Sequence, residues 1–257
     1  MHYQSVKNDH AITEHLEKLS EQQPTEGFWK YYHRIRNSGV VVNHKRLHRV
    51  YKELKLPLRR KIKKRLPSRV KEPLEVPKGF TETWSIDFMT DVLSNGTKFR
   101  SFNVIDDYNR EALFIEVDYS LKSSRVLWVL RLLISRYGKP KKIRMDNGPE
   151  FVAKLAQSWS KANEIEFKYI QPGKPTQNGY VERFNKSYRQ GVLDAYMFDH
   201  IDEVREVSQT WVDDYNNYRP HDACGGLPPK VYRRKQEQAI GLRSASATPS
   251  PSLHFAR

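Results

Sequence analysis

The chain has 257 residues, and its 45 Lys and Arg residues against 30 Asp and Glu residues give a formal net charge of +15. Its one cysteine, Cys224, excludes an internal disulfide and a cysteine-based zinc finger. No apolar run approaches the ~18 residues that a membrane-spanning helix needs, and the N-terminus lacks the apolar segment of a signal peptide. These features predict a cytoplasmic protein.

The positive charge is concentrated in the first third of the chain. Residues 1–80 hold 19 Lys and Arg and 8 Asp and Glu, a net charge of +11, whereas residues 81–257 have a net charge of only +4. A cationic block of this kind attracts phosphate backbones and gains free energy from counterion release. A merely solubilising surface is the alternative, but it would be spread more evenly along the chain.

Helical spacing of apolar residues dominates residues 1–58, which we interpret as a small DNA-binding domain. The spacing predicts helices over 10–21 and 28–38, followed by a third helix that Asn43 caps. The last two helices fit a helix-turn-helix, although an ordinary helical hairpin explains them equally well. The candidate DNA-contacting residues on the third helix are Lys45, Arg46 and Arg49.

A strongly basic segment follows, and we interpret residues 59–79 as a linker that lies along DNA. Residues 59–71 contain eight Lys and Arg and no acidic residue. A run of like charges is usually solvated rather than packed in a core. The candidate DNA-binding residues here are Arg59, Arg60, Lys61, Lys63, Lys64 and Arg65.

Residues 80–235 have the pattern of a mixed α/β domain. Trp84, Ile86 and Phe88 alternate with polar residues, as in a strand, and the next two strands follow after short turns. The order β-β-β-α-β-α-β-α predicts a mixed five-stranded sheet with helices on both faces. The further predicted elements are strands at 99–105, 112–117, 142–145 and 165–170, and helices at 125–137, 151–162, 178–193 and 203–218. The Ser- and Pro-rich segment 236–257 is predicted to be disordered.

Three carboxylates occupy positions that suit a metal site. Asp87 lies in a strand among apolar residues, Asp146 ends the fourth strand, and Glu182 lies on a helix. Oxygen ligands without His or Cys favour Mg²⁺ or Mn²⁺, and a pair of such ions can clamp an in-line displacement at phosphorus. Taken singly, Asp146 is explained as a turn residue and Glu182 as the partner of Lys186 on a helix surface.

The spacing and the surrounding motifs resemble one family closely. Asp146 and Glu182 are separated by 35 residues. The motifs are WSIDFMTD, RMDNGPEF, IQPGKPTQNGYVERFNKSYRQ and YNNYRPHDACGG. Together they resemble the OrfB transposases of the insertion-sequence-three family, which belong to the retroviral integrase superfamily with its D,D-35-E pattern.

The resemblance implies an RNase H-like catalytic domain in which Asp87, Asp146 and Glu182 are the catalytic, metal-binding triad. Glu182, Asn185, Lys186 and Arg189 match the pattern E-x-x-N-K-x-x-K, with Arg in place of the last Lys. The residues of this region that we expect to contact DNA are Asn147, Arg183, Lys186 and Arg189.

The function that the resemblance implies is metal-dependent DNA cleavage and strand transfer by a bacterial transposase, with two Mg²⁺ or Mn²⁺ ions and a circular DNA intermediate. Its expected partners are double-stranded element ends and target DNA, further copies of the chain, and an OrfA protein or fusion, in the nucleoid-associated cytoplasm. A catalytically inactive DNA-binding regulator and a simple RNase H-like nuclease are the alternatives.

Overall fold

The structure is a computed structural model, and it describes residues 9–58, 74, 76–171 and 175–246. The predicted basic contacts from Arg59 to Arg65 lie outside the described residues. Within the described ranges, no helix combines the length and the apolar character needed to cross a membrane.

Three helices form an N-terminal module, here residues 9–58: α1 (His10–Gln22), α2 (Phe28–Asn37) and α3 (His44–Glu53). The predicted cap is present, because the backbone N–H of Lys45 donates to Oδ1 of Asn43 at 2.8 Å. The predicted helices are confirmed, and the assignment as a helix-turn-helix stays a prediction. The core of the module consists of Leu16, Tyr31, Ile35, Val42, Leu47, Val50 and Tyr51.

The second part of the chain, here called the core (residues 76–246), is built on a five-stranded sheet. Its strands are β1 (Thr83–Val92), β2 (Lys98–Asp106), β3 (Ala112–Asp118), β4 (Lys142–Met145) and β5 (Glu166–Tyr169). They lie in the order β3-β2-β1-β4-β5. The β1–β2 and β2–β3 pairs are antiparallel, while β1–β4 and β4–β5 are parallel. The mixed sheet is therefore confirmed.

Helices cover both faces of the sheet, as predicted. On one face, α4 (Ser123–Tyr137), α5 (Pro149–Val152) and α6 (Lys154–Ala162) pack against Trp84 and Ile86. On the other face, α7 (Gly179–Tyr188) and α8 (Ile201–Asn217) form a second apolar cluster with Phe99 and Ile105. The alternation of β1 explains this division, because successive side chains of a strand point to opposite faces.

Two predicted helices are interrupted. The helix predicted over 151–162 is instead split into α5 and α6 at Ala153, whose ψ of 140° is not helical. Tertiary hydrogen bonds favour the break, since the Tyr169 hydroxyl donates to the Phe151 carbonyl at 2.9 Å. The helix predicted over 178–193 changes into a π-helical turn at Arg189–Leu193. Gly191 lies there so close to Trp211 that an added Cβ would be 2.5 Å from Nε1.

A final helix, α9 (Pro229–Ser246), was not predicted. It extends into the segment 236–257, so the prediction of disorder is wrong for residues 236–246, and residues 247–257 lie outside the described residues. Arg233, the fifth residue of this helix, contacts the buried Glu111 at 3.3 Å and so ties the start of the helix to the core. Pro229 at the first helical position was the available sequence signal.

The N-terminal module docks on the core through a buried group of charges. Glu26, whose side chain is fully buried, accepts hydrogen bonds from Arg34 at 2.8 Å and from Arg219 at 2.9 Å. Arg34 also contacts Asp214 of α8 at 2.7 Å. Nearby, the Lys30 ammonium donates to the Pro220 carbonyl at 2.6 Å. These contacts hold α2 against the C-terminal part of the core.

Candidate active site

The register of two parallel strands brings two of the predicted acids together. Ser85 of β1 pairs with Arg144 of β4. Two residues further along each chain lie Asp87, still within β1, and Asp146, which directly follows the last residue of β4. Because both are an even step from the paired residues, their side chains project from the same face of the sheet, the one that α7 covers.

Two buried amides hold the carboxylate of Asp87. Asn185 of α7 donates from Nδ2 to Oδ2 of Asp87 at 2.8 Å, and Asn103 of β2 donates to Oδ1 of Asn185 at 2.7 Å. The other carboxylate oxygen accepts the backbone N–H of Phe88 at 2.9 Å. This amide relay fixes the carboxylate in one orientation.

The electrostatics of Asp87 connect all three acids. Burial of its carboxyl group raises the pKa of Asp87 to about 6, and the negative charges of Asp146 and Glu182 raise it in the same direction. Glu182 itself is exposed, and partial desolvation raises its pKa. Asp146 and Glu182 therefore lie near enough to disfavour the ionised form of Asp87, and a bound cation would relieve that repulsion.

Glu182 lies in a shallow surface depression along α7. The same depression is lined by Arg183, Lys186 and Gln190, all of which are exposed. Arg189 is not part of it, contrary to the helical spacing of the sequence. Because the helix widens at this residue, the Arg189 guanidinium turns to β1, where it contacts Asp91 at 3.0 Å and the Thr90 carbonyl at 3.1 Å.

The turn after Asp146 leaves little room for a side chain at Gly148. Its backbone N–H donates to Oδ1 of Asp146 at 3.1 Å, and an added Cβ would be 3.0 Å from that oxygen and 3.1 Å from Glu150. Glu150 in turn pairs with Arg100 of β2 at 2.5 Å. The exposed Asn147 donates to the Ile170 carbonyl at 3.1 Å, so it ties this turn to the end of β5.

A buried ion pair that was not predicted from the sequence lies next to the acids, at Arg144, two residues before Asp146. Arg144 contacts Asp107 at 2.9 Å, and both side chains are almost completely buried. Burial raises the pKa of Asp107 to about 6, while the neighbouring Arg144 lowers it. The motif VIDDYNR could have indicated this pair, because two adjacent acids at the end of an apolar strand are unfavourable unless a cation or hydrogen-bond donors compensate them.

The donor set suits a hard divalent cation, although the structure does not show a closed metal site. In the described part of the chain, no group of three His, Cys, Asp or Glu residues is arranged to hold a metal ion. The two strand acids are neighbours, their oxygens are the ligands that Mg²⁺ and Mn²⁺ prefer, and their mutual repulsion favours a cation. The chemistry and the charge of Asp87 and Asp146 therefore suit such a cation, and Glu182 as a third ligand stays a prediction.

The basic residues predicted on α3 differ in their environment. Lys45 is exposed. Arg46 contacts Asp9 at 2.7 Å, and Arg49 contacts Asp9 as well as Glu53, the latter at 2.9 Å. Their guanidinium groups are thus partly neutralised in this structure, and DNA contact by α3 stays a prediction.

Comparison with known proteins agrees with the fold and the motifs. Models of the integrase core domain match residues 80–175 and 163–229. A protein of insertion element IS407 from Burkholderia multivorans is 36% identical over 95% of this chain and 89% of its own length. The chain belongs to the integrase core domain family. This confirms the resemblance drawn from the motifs around Asp87, Asp146 and Glu182.

Two further similarities place the family membership in context. A protein of insertion element IS476 from Xanthomonas euvesicatoria is 33% identical over 86% of this chain and 64% of its own length. The chain also resembles a solved simian T-cell lymphotropic virus intasome, with a TM-score of 0.55 and 15% identity over 95% of this chain and 78% of that one. The latter likeness supports the RNase H-like fold of the integrase core.

Proposed function

We propose that the chain is the transposase of an insertion sequence and that it catalyses metal-dependent cleavage of DNA strands and their transfer. The observation that carries the proposal is the parallel pairing of β1 with β4, which sets Asp87 beside Asp146, together with the hydrogen bond from Asn185, on the same helix as Glu182, to Asp87. Membership of the integrase core family and the similarity to insertion-element proteins support it.

The carboxylates of Asp87, Asp146 and Glu182 are the groups that would hold Mg²⁺ or Mn²⁺. Bound there, two ions would activate the attacking oxygen and stabilise the leaving oxygen of an in-line displacement. The amide relay of Asn103 and Asn185 keeps Asp87 oriented. Lys186 and Arg183, exposed beside Glu182, attract the phosphates of a DNA strand that lies along α7.

Further parts of the proposal concern the assembly. Two DNA ends must be joined, so more than one copy of the chain acts on the element ends and the target DNA, in the bacterial nucleoid, with an OrfA protein as partner or fusion. A circular form of the element is the intermediate. The division into a DNA-binding domain 1–58, a linker 59–79 and a catalytic domain 80–235 belongs to the same proposal.

Glu182→Gln tests the proposed function directly. Wild-type protein, with OrfA supplied, is incubated with labelled DNA ends of the element and Mg²⁺ or Mn²⁺, and the joined strands are quantified on a gel. We expect wild type to join strands and Glu182→Gln to lose joining about 1,000-fold while it still binds DNA, because a metal ligand supplies several kcal/mol of transition-state stabilisation.

Glu166→Gln is the matched control, since it makes the same chemical change at an exposed glutamate of β5. Its joining activity is expected to equal that of wild type. DNA binding by wild type without any metal-dependent joining would contradict the proposal and favour a regulatory protein. Cleavage without joining, and without preference for element ends, would favour a simple nuclease.

Gly148→Ala is expected to lower strand joining about tenfold with little change in folding stability. The added methyl group would press on Oδ1 of Asp146 and displace the carboxylate from its turn. A displacement of this kind at a reacting group reduces the rate strongly even when the fold is intact. Single-turnover joining rates and thermal melting measure the two effects, and equal joining by both proteins would show that the turn does not position Asp146.

A further inference from the structure

A basic cavity lies between the N-terminal module and the core. Its volume is about 200 Å³, and its wall includes Lys30 of α2, Arg110 from the turn after β2, Arg183 of α7, and Arg219 and His221 after α8. The cavity is smaller than the ~300 Å³ and more of most small-molecule sites, so it suits a small group rather than a nucleoside.

The charge of the lining is unbalanced. Four cationic side chains face one carboxylate among the described residues, that of Asp222. Asp222 approaches Arg183 only to 3.6 Å, and both side chains are about four-fifths exposed at 82% and 79%. An exposed pair of this kind contributes little free energy and is easily exchanged for another anion. Arg219 is already paired with Glu26, so Lys30, Arg110 and Arg183 remain against Asp222 and the cavity keeps a net positive charge.

Arg110 is the most unusual residue of the lining. Its φ of +66° lies in the left-handed region, which is unfavourable for any residue with a Cβ. Its guanidinium lies over the Tyr180 ring at 3.5 Å, and its Nη1 nitrogen is buried without a hydrogen-bond partner among the described residues. Glycine at this position would relieve the strain, so the Arg110 side chain can be removed without a backbone penalty.

The cavity adjoins the depression that holds Glu182. Arg183 and Ser187 line both the cavity and the depression. A DNA strand that places one phosphodiester beside Glu182 and Lys186 would therefore pass Arg183, which belongs to the cavity wall as well.

We propose that this cavity binds one phosphodiester of the DNA backbone, which Arg110 and Arg183 of the core and Lys30 of the N-terminal module contact together. The inference rests on the proposed function and adds a DNA contact outside the acids. A phosphate bound by both the N-terminal module and the core would fix the distance between the DNA segment at the module and the phosphodiester that is cleaved.

Lys30 explains why the site favours an anion that bridges the two parts. Burial lowers the pKa of Lys30 to about 8, and the neighbouring Arg219 lowers it in the same direction. A bound phosphodiester supplies the negative charge that keeps the ammonium protonated. His221 also faces this cation cluster, and burial lowers its pKa well below the ordinary value, so it adds no charge at neutral pH.

Arg110→Gly tests the proposal because it removes the side chain and relieves the left-handed strain. Binding of the full-length protein to a duplex with the element ends, and to a random duplex, is measured without divalent metal between 50 and 200 mM salt. We expect the magnitude of the slope of log K against log salt to decrease by about 1 on both duplexes, which corresponds to the loss of about one phosphate contact. Between 50 and 200 mM salt, the affinity of the variant should therefore fall by a factor about three times smaller than that of wild type. Arg183→Gln, at an exposed side chain, is expected to show the same change.

Lys161→Gln is the control, since this exposed lysine of α6 lies away from the cavity. Unchanged affinity and slope in both Arg110→Gly and Arg183→Gln would overturn the proposal. Stabilisation of wild type by inorganic phosphate, lost in Arg110→Gly while DNA binding stays unchanged, would assign the cavity to a free anion and would also overturn it. Metal-dependent strand joining by wild type is measured in parallel. If wild type joins strands while the variants bind DNA unchanged, the cavity proposal fails and the proposed function stands.

Discussion

Asp87→Asn is expected to stabilise the metal-free protein against unfolding and, in the same molecule, to reduce strand joining severely. The two effects have opposite signs because the carboxylate is unfavourable for folding and required for chemistry. Burial and the charges of Asp146 and Glu182 raise the pKa of Asp87 from 3.8 to about 6. The ionised carboxyl therefore opposes folding at pH 7.

The pH dependence follows from the direction of this shift. The folded state binds the proton more tightly than the unfolded state, so Asp87 costs no stability below about pH 4, and stability is lost as the pH rises through about 6. At pH 7 the cost reaches about 3 kcal/mol. The gain from Asp87→Asn should consequently be large at pH 7 and should vanish near pH 4, which chemical denaturation at the two pH values measures.

The surrounding amides can accommodate the substitution. Asparagine would direct an NH₂ group at Nδ2 of Asn185, so the amide of Asn185 must turn over, and that of Asn103 must follow. Oδ1 of Asn103 is buried without a hydrogen-bond partner among the described residues, so its reversal breaks no hydrogen bond in that part of the chain. The relay is thereby reversed at little cost, and the fold is expected to remain intact.

Strand joining by Asp87→Asn is expected to fall about 1,000-fold, because one of the three metal-holding carboxylates is lost. Mg²⁺ should raise the melting temperature of wild type and not that of the variant. Asp213→Asn, at an exposed position on α8, is the control for a neutral change. A variant that joins strands at the wild-type rate would remove Asp87 from the catalytic residues, and one that is less stable at pH 7 would contradict the electrostatic argument.

Local patterns predicted the sheet and the place of the acids because they depend on residues that are close in sequence. The alternation around Trp84 and Ile86 reports which side chains face each layer, and both are fully buried in one cluster. Asp146 lies at a strand end for the same local reason. The adjacency of Asp87 and Asp146 depends in addition on the parallel pairing of β1 with β4, which the structure shows and the local pattern does not predict.

Features that depend on distant partners were not predictable in this way. The break at Ala153 is favoured by the Tyr169 hydroxyl, and the π-helical turn at Gly191 accommodates Trp211. Neither partner is visible in the local sequence. A regular helix would place Arg189 on the same face as Glu182, whereas the wider turn directs it to Asp91. Local periodicity thus gives the elements, and tertiary contacts decide where they bend.

The docking of the N-terminal module also depends on distant residues, since Glu26 contacts Arg34 within the module and Arg219 of the core. Glu26→Ala is expected to lower the free energy of unfolding by about 3–5 kcal/mol, because two arginines lose a fully buried partner. For a chain of this size, the melting temperature should fall by about 10 °C. Glu53→Ala, which breaks an exposed pair with Arg49, should cost less than about 0.5 kcal/mol.

The location of the lost hydrogen-exchange protection distinguishes undocking of the N-terminal module from general destabilisation. Hydrogen exchange should quicken in α1–α3 and leave the amides of β1 and β2 protected, since the sheet keeps its own apolar core. Uniform loss of protection, or a cost below about 1 kcal/mol, would contradict a docking role for Glu26. Because Lys30 and Arg219 line the basic cavity on either side of this contact, undocking should also weaken DNA binding in the same direction as Arg110→Gly. Glu26 would then contribute to DNA binding indirectly, by holding the N-terminal module with Lys30 against the core.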